Sequence, residues 1–576
     1  MRQYTPYDLK KRLFAFAAGI TFLFLCLFGR LVYVQLIMGR QLQTKAAEQW
    51  ARDLPVAAPR GLILDKNGKV LAGNSTVYTV YVRPREVDDK RLLSGELSGI
   101  LGIDAEELFQ KLSKNVSEIT VYKKATREQA NSIIAVGRKG VYLSMDIERV
   151  YPYGELASQL LGYISVDNRG QAGTEKFYDK FLKGIDGKIL SESDLTGNRL
   201  EGTPQHYIPP IDGLNVKLTI DYTIQSIAEN AMQQAMLIFK PIAARALVMD
   251  PKTGEILAMV NKPGFDLNDI PRDDLDALNK YSRNSLVIDI YEPGSTFKIF
   301  TVATNLNEYL KGNKKAFSPN HIFSGGRTRV VDGRIIKCWS NHAGGKHSNQ
   351  NLSLALNNSC NPIFVDVALS LGKETFYDYV EAFGFGKVTG IDFLGEGTGM
   401  IVPQNYAMAG DLARMGFGQS IAVSPLQLAA AASAAVNGGR LMQPYLVSEI
   451  TTKDGLVAQR FYSTMVGNPI SPEASRMVAE MLEGAVSQGS GRNAYIEGFR
   501  VGGKTGTAQK FENGRLAVGK NVSSFIGFFP ANDPQYLALV IIDEPVGQSY
   551  GSVVAAPFAK QIFEQIIYYK DLKPVS

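Results

Sequence analysis

Three short segments combine residue types that could carry out acyl transfer: Ser295-Thr-Phe-Lys298, Ser359-Cys360-Asn361, and Lys504-Thr505-Gly506 followed by Thr507-Ala508-Gln509. In the first, a hydroxyl precedes an amine by one helical turn, so that the two share a helix face. Pro293-Gly294 ahead of Ser295 and the apolar Ile299-Phe300-Thr301-Val302-Ala303 behind it predict the start of a buried helix. An ammonium buried near the positive helix end is disfavoured by desolvation and by like charge, which lowers its pKa. A neutral Lys298 could then take the Ser295 proton and activate a weak nucleophile. The implied chemistry is a serine acyl-transfer site with lysine in place of histidine as base.

Each segment alone is common. Ser370-Leu-Gly-Lys373 repeats the first pattern, Ser113-Lys-Asn115 and Ser282-Arg-Asn284 repeat the second, and Lys252-Thr253-Gly254 repeats the third. Context separates them. Lys252 lies in a turn between two apolar runs, whereas Lys504 follows Gly502-Gly503 and opens a strand-like stretch, where small residues let a substrate backbone lie close.

The ordered trio resembles that of the penicillin-recognising serine transpeptidases. Arg60-Gly61-Leu62-Ile63-Leu64-Asp65-Lys66-Asn67-Gly68 looks like the opening signature of class B penicillin-binding proteins, and Gly170-Gln171-Ala172-Gly173-Thr174-Glu175 like a marker of their N-terminal module. Gly416-Phe417-Gly418-Gln419-Ser420, continued by Val423-Ser424-Pro425-Leu426-Gln427, looks like a third marker. Ile336-Lys337-Cys338-Trp339 and Asn358-Ser359-Cys360-Asn361 lean toward the division and sporulation branch.

The resemblance implies a peptidoglycan D,D-transpeptidase that β-lactams inhibit, with no cofactor. Ser295 would attack the penultimate D-alanine carbonyl of a stem peptide, with Lys298 as base. Ser359 would relay a proton to the leaving amine, Asn361 would hold the substrate amide, and Lys504 would supply positive potential. Thr505 and Thr507, flanking Gly506, would bind the substrate carboxylate. The Ser295 and Thr507 backbone N–H groups would form an oxyanion hole, in which one donor contributes about 3 kcal/mol to lowering the barrier. The same scaffold also serves D,D-carboxypeptidases and β-lactamases, or a non-catalytic membrane scaffold or β-lactam sensor. β-Lactam turnover needs a base for the deacylating water, and the sequence identifies none. A sensor would carry more spanning helices, and a dead scaffold would have lost one of the three segments.

These parts need positioning. A chain of 576 residues exceeds one core, so at least two domains are expected. The net charge of +6 is spread without a basic stripe, which argues against a nucleic-acid partner. Leu13 to Phe28 is an uncharged, nearly all-apolar run that Leu31 to Met38 continues, a length suited to one membrane-spanning helix with Arg30 snorkelling at its end. Arg2, Lys10, Lys11 and Arg12 flank its early side, so the positive-inside rule places residues 1–12 in the cytoplasm. The expected organisation is a tail (1–12), an anchor (13–38), a pedestal of dimerisation type (40–240) and a transpeptidase domain (241–572), outside a cell membrane crossed once in type II orientation.

The fold class read from this order is α+β. Strand-turn-strand signals occur at 61–72 and 245–260, a helical pattern at 224–232, and a domain boundary is expected near 236–243. Pro425 to Val436 predicts an alanine-rich helix closed by Gly438-Gly439. Late strands at 501–508, 523–531 and 536–543, with a final helix at 557–569, complete a five-stranded, mostly antiparallel sheet flanked by helices. No catalytic cluster is apparent between 40 and 240, so glycan polymerisation would fall to a partner, a SEDS-family glycosyltransferase by resemblance.

Three cysteines remain. Cys26 lies in the apolar run, while Cys338 and Cys360 fall outside it and are expected to form a redox pair whose disulfide would disturb Ser359 or Asn361. His342 and His347 sit in a glycine-containing segment without paired metal-ligand spacing, and are read as surface loop with no metal.

Overall fold

The computed structural model describes residues 6–39, 42, 51–192, 206–340, 342, 347–512 and 515–574. The chain divides into two compact units, one formed by residues up to 58 with 185–211, the other by 59–184 with the chain from 212 onward. In the smaller unit the helix Pro6–Val32 runs on into a wider turn at Tyr33–Ile37. Over Leu9–Ile37 its mean hydropathy is 2.1, with the helix long and apolar enough to cross a membrane. Phe14, Phe16, Phe22, Leu23 and Phe28 are all exposed, the pattern of a helix apolar all round. The same unit holds an antiparallel three-stranded sheet, Ala51–Val56 beside Gly187–Glu192 beside His206–Ile208.

In the larger unit the long strand Val70–Val82 pairs antiparallel with Val141–Val150 and with Ile119–Ala125. Helices Lys90–Leu101 and Ala105–Leu112 pack on it around Val80, Val82, Leu93, Leu97 and Leu108. Their ends are defined chemically: Asp89 and Asp104 cap the N-termini, and Gly102 closes the first helix in the left-handed region. The first two family-like segments meet in a buried ion cluster. Arg60 Nε is 2.6 Å from Glu175 Oε2, Arg149 Nε is 2.7 Å from Glu175 Oε1, and Arg60 Nη1 is 2.7 Å from Asp179. These motif residues are therefore structural, not catalytic.

The core of the later part of the chain is a five-stranded sheet in the order Ile256–Lys262, Ala243–Met249, Tyr536–Asp543, Arg515–Phe529, Gly502–Glu512, antiparallel at every pairing. Helices Tyr222–Phe239 and Ala556–Tyr569 cover one face, with Ala228, Met232, Phe558 and Phe563 in its core. The other face packs against the alanine-rich helix Pro425–Val436 and, beyond it, Lys298–Leu310. Burial on both faces explains why Tyr536–Asp543 and Ile256–Lys262 read as near-continuous apolar runs. Helix Tyr222–Phe239, which a boundary at 236–243 leaves with the pedestal, packs on this sheet and on the final helix. Gly502–Glu512 is the sheet's edge, paired with a strand on one side only among the described residues, the position at which an extended ligand can add.

Candidate active site

The chain bends into the site at a tight turn, Gly294–Phe297, which passes directly into the helix Lys298–Leu310. Gly294 has φ +55°, and Gly418 is pressed against it: a Cβ at Gly418 would lie 1.9 Å from the Gly294 carbonyl oxygen. The Gly294 N–H donates to Gly418 O at 3.0 Å, and Ser420 N–H donates to Glu292 at 3.0 Å. The Gly416–Ser420 segment is thus the buttress of the turn that carries Ser295. Behind it, Gln427 completes a capping box with Ser424 at the start of the alanine-rich helix.

Ser295 is partly exposed at the wall of a cleft of about 580 Å³, while Lys298 is fully buried at its back. The Lys298 amine donates to Asn361 Oδ1 at 2.7 Å, Ser359 O at 2.8 Å and Ser359 Oγ at 3.0 Å. Burial lowers its pKa to about 7, against the opposing pull of the Cys338 and Cys360 thiols. The amine thus sits near neutrality, its three contacts made to Ser359 and Asn361.

Ser359 adopts φ +54°, a left-handed conformation that costs a non-glycine residue roughly 1–2 kcal/mol. Its carbonyl is held by Lys298 and, at 3.1 Å, by the Trp339 indole N–H. Cys360 then caps the helix Asn361–Leu371, with Pro362 in the first turn. The second segment is therefore both a helix start and a site element, its Ser359 hydroxyl turned to the lysine instead of capping.

Lys504, Thr505, Gly506 and Thr507 lie on the edge strand Gly502–Glu512. A Cβ at Gly506 would come within 3.0 Å of both Pro293 O and the Thr296 methyl, so glycine there lets the strand lie against the Gly294–Phe297 turn. Lys504 is fully buried, and burial followed by the nearby Lys298 charge pushes its pKa down. Thr505 Oγ1 lies 3.4 Å from Ser490 Oγ, and Thr507 Oγ1 accepts the Gly551 N–H at 3.2 Å. Ser295, Ser359, Asn361, Thr505, Gly506 and Thr507 all line the one cleft. Lys252-Thr253-Gly254, by contrast, is the turn of the 243–262 hairpin, and Ser370 closes a helix.

Sequence reasoning missed Ser490, Trp339 and Tyr550 as cleft residues. The Trp339 and Tyr550 rings stand 5.8 Å apart at its rim, both half-exposed. Only the Gly489-Ser490-Gly491 spacing could have pointed to Ser490. The reading of the histidines as surface loop also fails: His347 is buried, and Cys338 and Cys360 are buried beside it. Both cysteines are free thiols. A hydrogen bond from the Cys360 thiol holds the Cys338 thiol well below its usual range, and the same bond with burial pushes Cys360 up.

With this geometry in place, comparison with known proteins is direct. Residues 244–564 match the penicillin binding protein transpeptidase domain, and residues 55–218 the penicillin-binding protein dimerisation domain. The chain belongs to the penicillin-binding protein transpeptidases. It is 39% identical over 573 residues to stage V sporulation protein D of Bacillus subtilis, covering 98% of this chain and 86% of that one. It is 30% identical to a peptidoglycan D,D-transpeptidase FtsI homolog of Mesostigma viride, over 98% of both chains. The crystal structure of penicillin binding protein 2X from Streptococcus thermophilus superposes with a TM-score of 0.76 at 25% identity, over 90% of this chain and 80% of that one.

Proposed function

We propose that this chain cross-links peptidoglycan stem peptides through an acyl-enzyme on Ser295. The carrying observation is the buried Lys298 amine, tied to Ser359 and Asn361 at the back of the cleft that Ser295 lines. Lys298 takes the Ser295 proton as Oγ attacks the penultimate D-alanine carbonyl, forming the C–O bond and an oxyanion. The oxyanion faces the Ser295 and Thr507 backbone N–H groups. When it collapses, the C–N bond breaks, and the proton passes from Lys298 by way of the Ser359 hydroxyl, 3.0 Å away, to the leaving D-alanine amine. An amine of a neighbouring strand then attacks the ester, its proton returning to Ser295 by the same route.

The substrate carboxylate sits by Lys504, Thr505 and Thr507, where its charge restores the proton that burial and Lys298 take from Lys504. Asn361 and the open edge of the strand Gly502–Glu512 hold the peptide backbone. β-Lactams acylate Ser295 by the same attack.

The proposed division into tail 1–12, anchor 13–38, a pedestal from 40 and a transpeptidase domain that takes in the helix Tyr222–Phe239 and runs to 572, with the last two outside the cell membrane, belongs to this reading. The apolar helix Leu9–Ile37 offers the contact for a SEDS-family glycosyltransferase that supplies the glycan strands. The test is D-alanine release and dimer formation from a pentapeptide-bearing glycan, for the full chain and for Ser295→Ala. The wild type should give both products and the variant neither. Release of D-alanine without dimer would make the enzyme a carboxypeptidase.

A further inference from the structure

Four soft ligand atoms converge beside the Ser359–Asn361 segment. Cys338 Sγ, Cys360 Sγ and one ring nitrogen each of His342 and His347 all lie within 4.8 Å of one another. Cys338 Sγ is 3.3 Å from His342 Nε2, and Cys360 Sγ is 3.6 Å from His347 Nδ1. In a tetrahedral site with metal–sulfur bonds of about 2.3 Å and metal–nitrogen bonds of about 2.0–2.1 Å, sulfur and nitrogen ligands stand roughly 3.6 Å apart. Both sulfur–nitrogen edges are already near that length.

The surroundings point the same way. Cys338, Cys360 and His347 are buried, so the four ligand atoms meet largely away from solvent. The other nitrogen of His342, Nδ1, lies 3.2 Å from Ser340 Oγ, which also accepts the His342 N–H at 2.9 Å. A ring held by its second nitrogen is the arrangement that orients histidine ligands on metals. A disulfide between the two cysteines would use both sulfurs but give two imidazoles no reason to meet at the same point. Two sulfurs and two nitrogens within 4.8 Å of one another suit zinc or a similar thiophilic divalent ion.

We propose that Cys338, His342, His347 and Cys360 form a closed zinc-class metal site that fixes the Ser359–Asn361 segment against the residues around Trp339. Four protein ligands leave no open position, so the ion is structural and takes no part in the acyl transfer. Its leverage comes from placement. Cys360 stands between Ser359 and Asn361, and Trp339, next to Cys338, donates to the strained Ser359 carbonyl. The ion would tie together the two segments that set the Lys298 acceptors.

The experiment uses the full chain in detergent, purified reduced and without chelator. Elemental analysis should find about one zinc per chain, and replacement by cobalt(II) should give intense tetrahedral d–d bands with thiolate-to-cobalt charge transfer. Cys338→Ser and His342→Ala should each lower metal content at least tenfold and abolish the charge-transfer band. Since either variant can misfold, the wild-type cobalt spectrum stands as an independent reading. Stripping the metal from the wild type should slow penicillin acylation, and zinc should restore it. Wild type that takes up no cobalt with thiolate ligation overturns the proposal, as does a Cys338–Cys360 disulfide in freshly isolated chain or full metal content in His342→Ala. Acylation indifferent to metal removal overturns the positioning role.

Discussion

Replacing Lys298 by arginine separates a base from a mere positive charge. The Lys298 amine is fully buried with a pKa near 7, set chiefly by desolvation. At pH 7.5 such an amine is about three-quarters neutral. An arginine there keeps a donor for Ser359 O and Asn361 Oδ1, but with a pKa above 12 it is neutral in about one molecule in 10⁵. General-base catalysis contributes typically 10²–10⁴-fold. Lys298→Arg should therefore lose about 10²–10⁴-fold in the second-order rate constant for acylation by a fluorescent penicillin, and Lys298→Ala should fall in the same range. Thermal melts on the same preparations check that both variants are folded. An arginine variant within about threefold of wild type would mean that Lys298 acts only as a charge, and the role given to it here would be wrong.

Wild-type acylation should rise with pH through about 7 as Lys298 loses its proton, each unit below costing about tenfold; a flat profile between pH 5.5 and 8 would refute the assignment. Gly418→Ala puts a methyl 1.9 Å from the Gly294 carbonyl at φ +85°, and the displaced nucleophile turn should cost about 10²-fold in acylation rate. Glu175→Gln leaves Arg60 and Arg149 without their buried carboxylate and should destabilise the fold by about 3–5 kcal/mol in denaturant melts, with the acylation rate of the remaining folded protein unchanged.

Much of the site was legible because its signals are local. The one-turn spacing of Ser295 and Lys298, the glycines around Lys504 and the capping box at Ser424 each write their geometry in a few neighbouring residues. The strands Ile256–Lys262 and Tyr536–Asp543 were equally readable, since burial on both faces leaves long apolar runs. What escaped was assembled by the tertiary fold. Ser490 reaches the cleft from the end of a helix, and Trp339 and Tyr550 meet although 211 positions separate them. Helix Tyr222–Phe239 has a helical pattern that says nothing of which domain it covers. The histidines carried no recognisable ligand spacing because their partner Cys360 stands 13 positions beyond His347, across an intervening helix.

The central claim is that Ser295 is the acylated residue. Its most direct test is mass spectrometry of the full chain after penicillin treatment, with the adduct located by proteolysis and fragmentation. One adduct per chain is expected, on the peptide containing Ser295-Thr-Phe-Lys298, and none in Ser295→Ala. An adduct on any other serine, or undiminished labelling of the alanine variant, would contradict it.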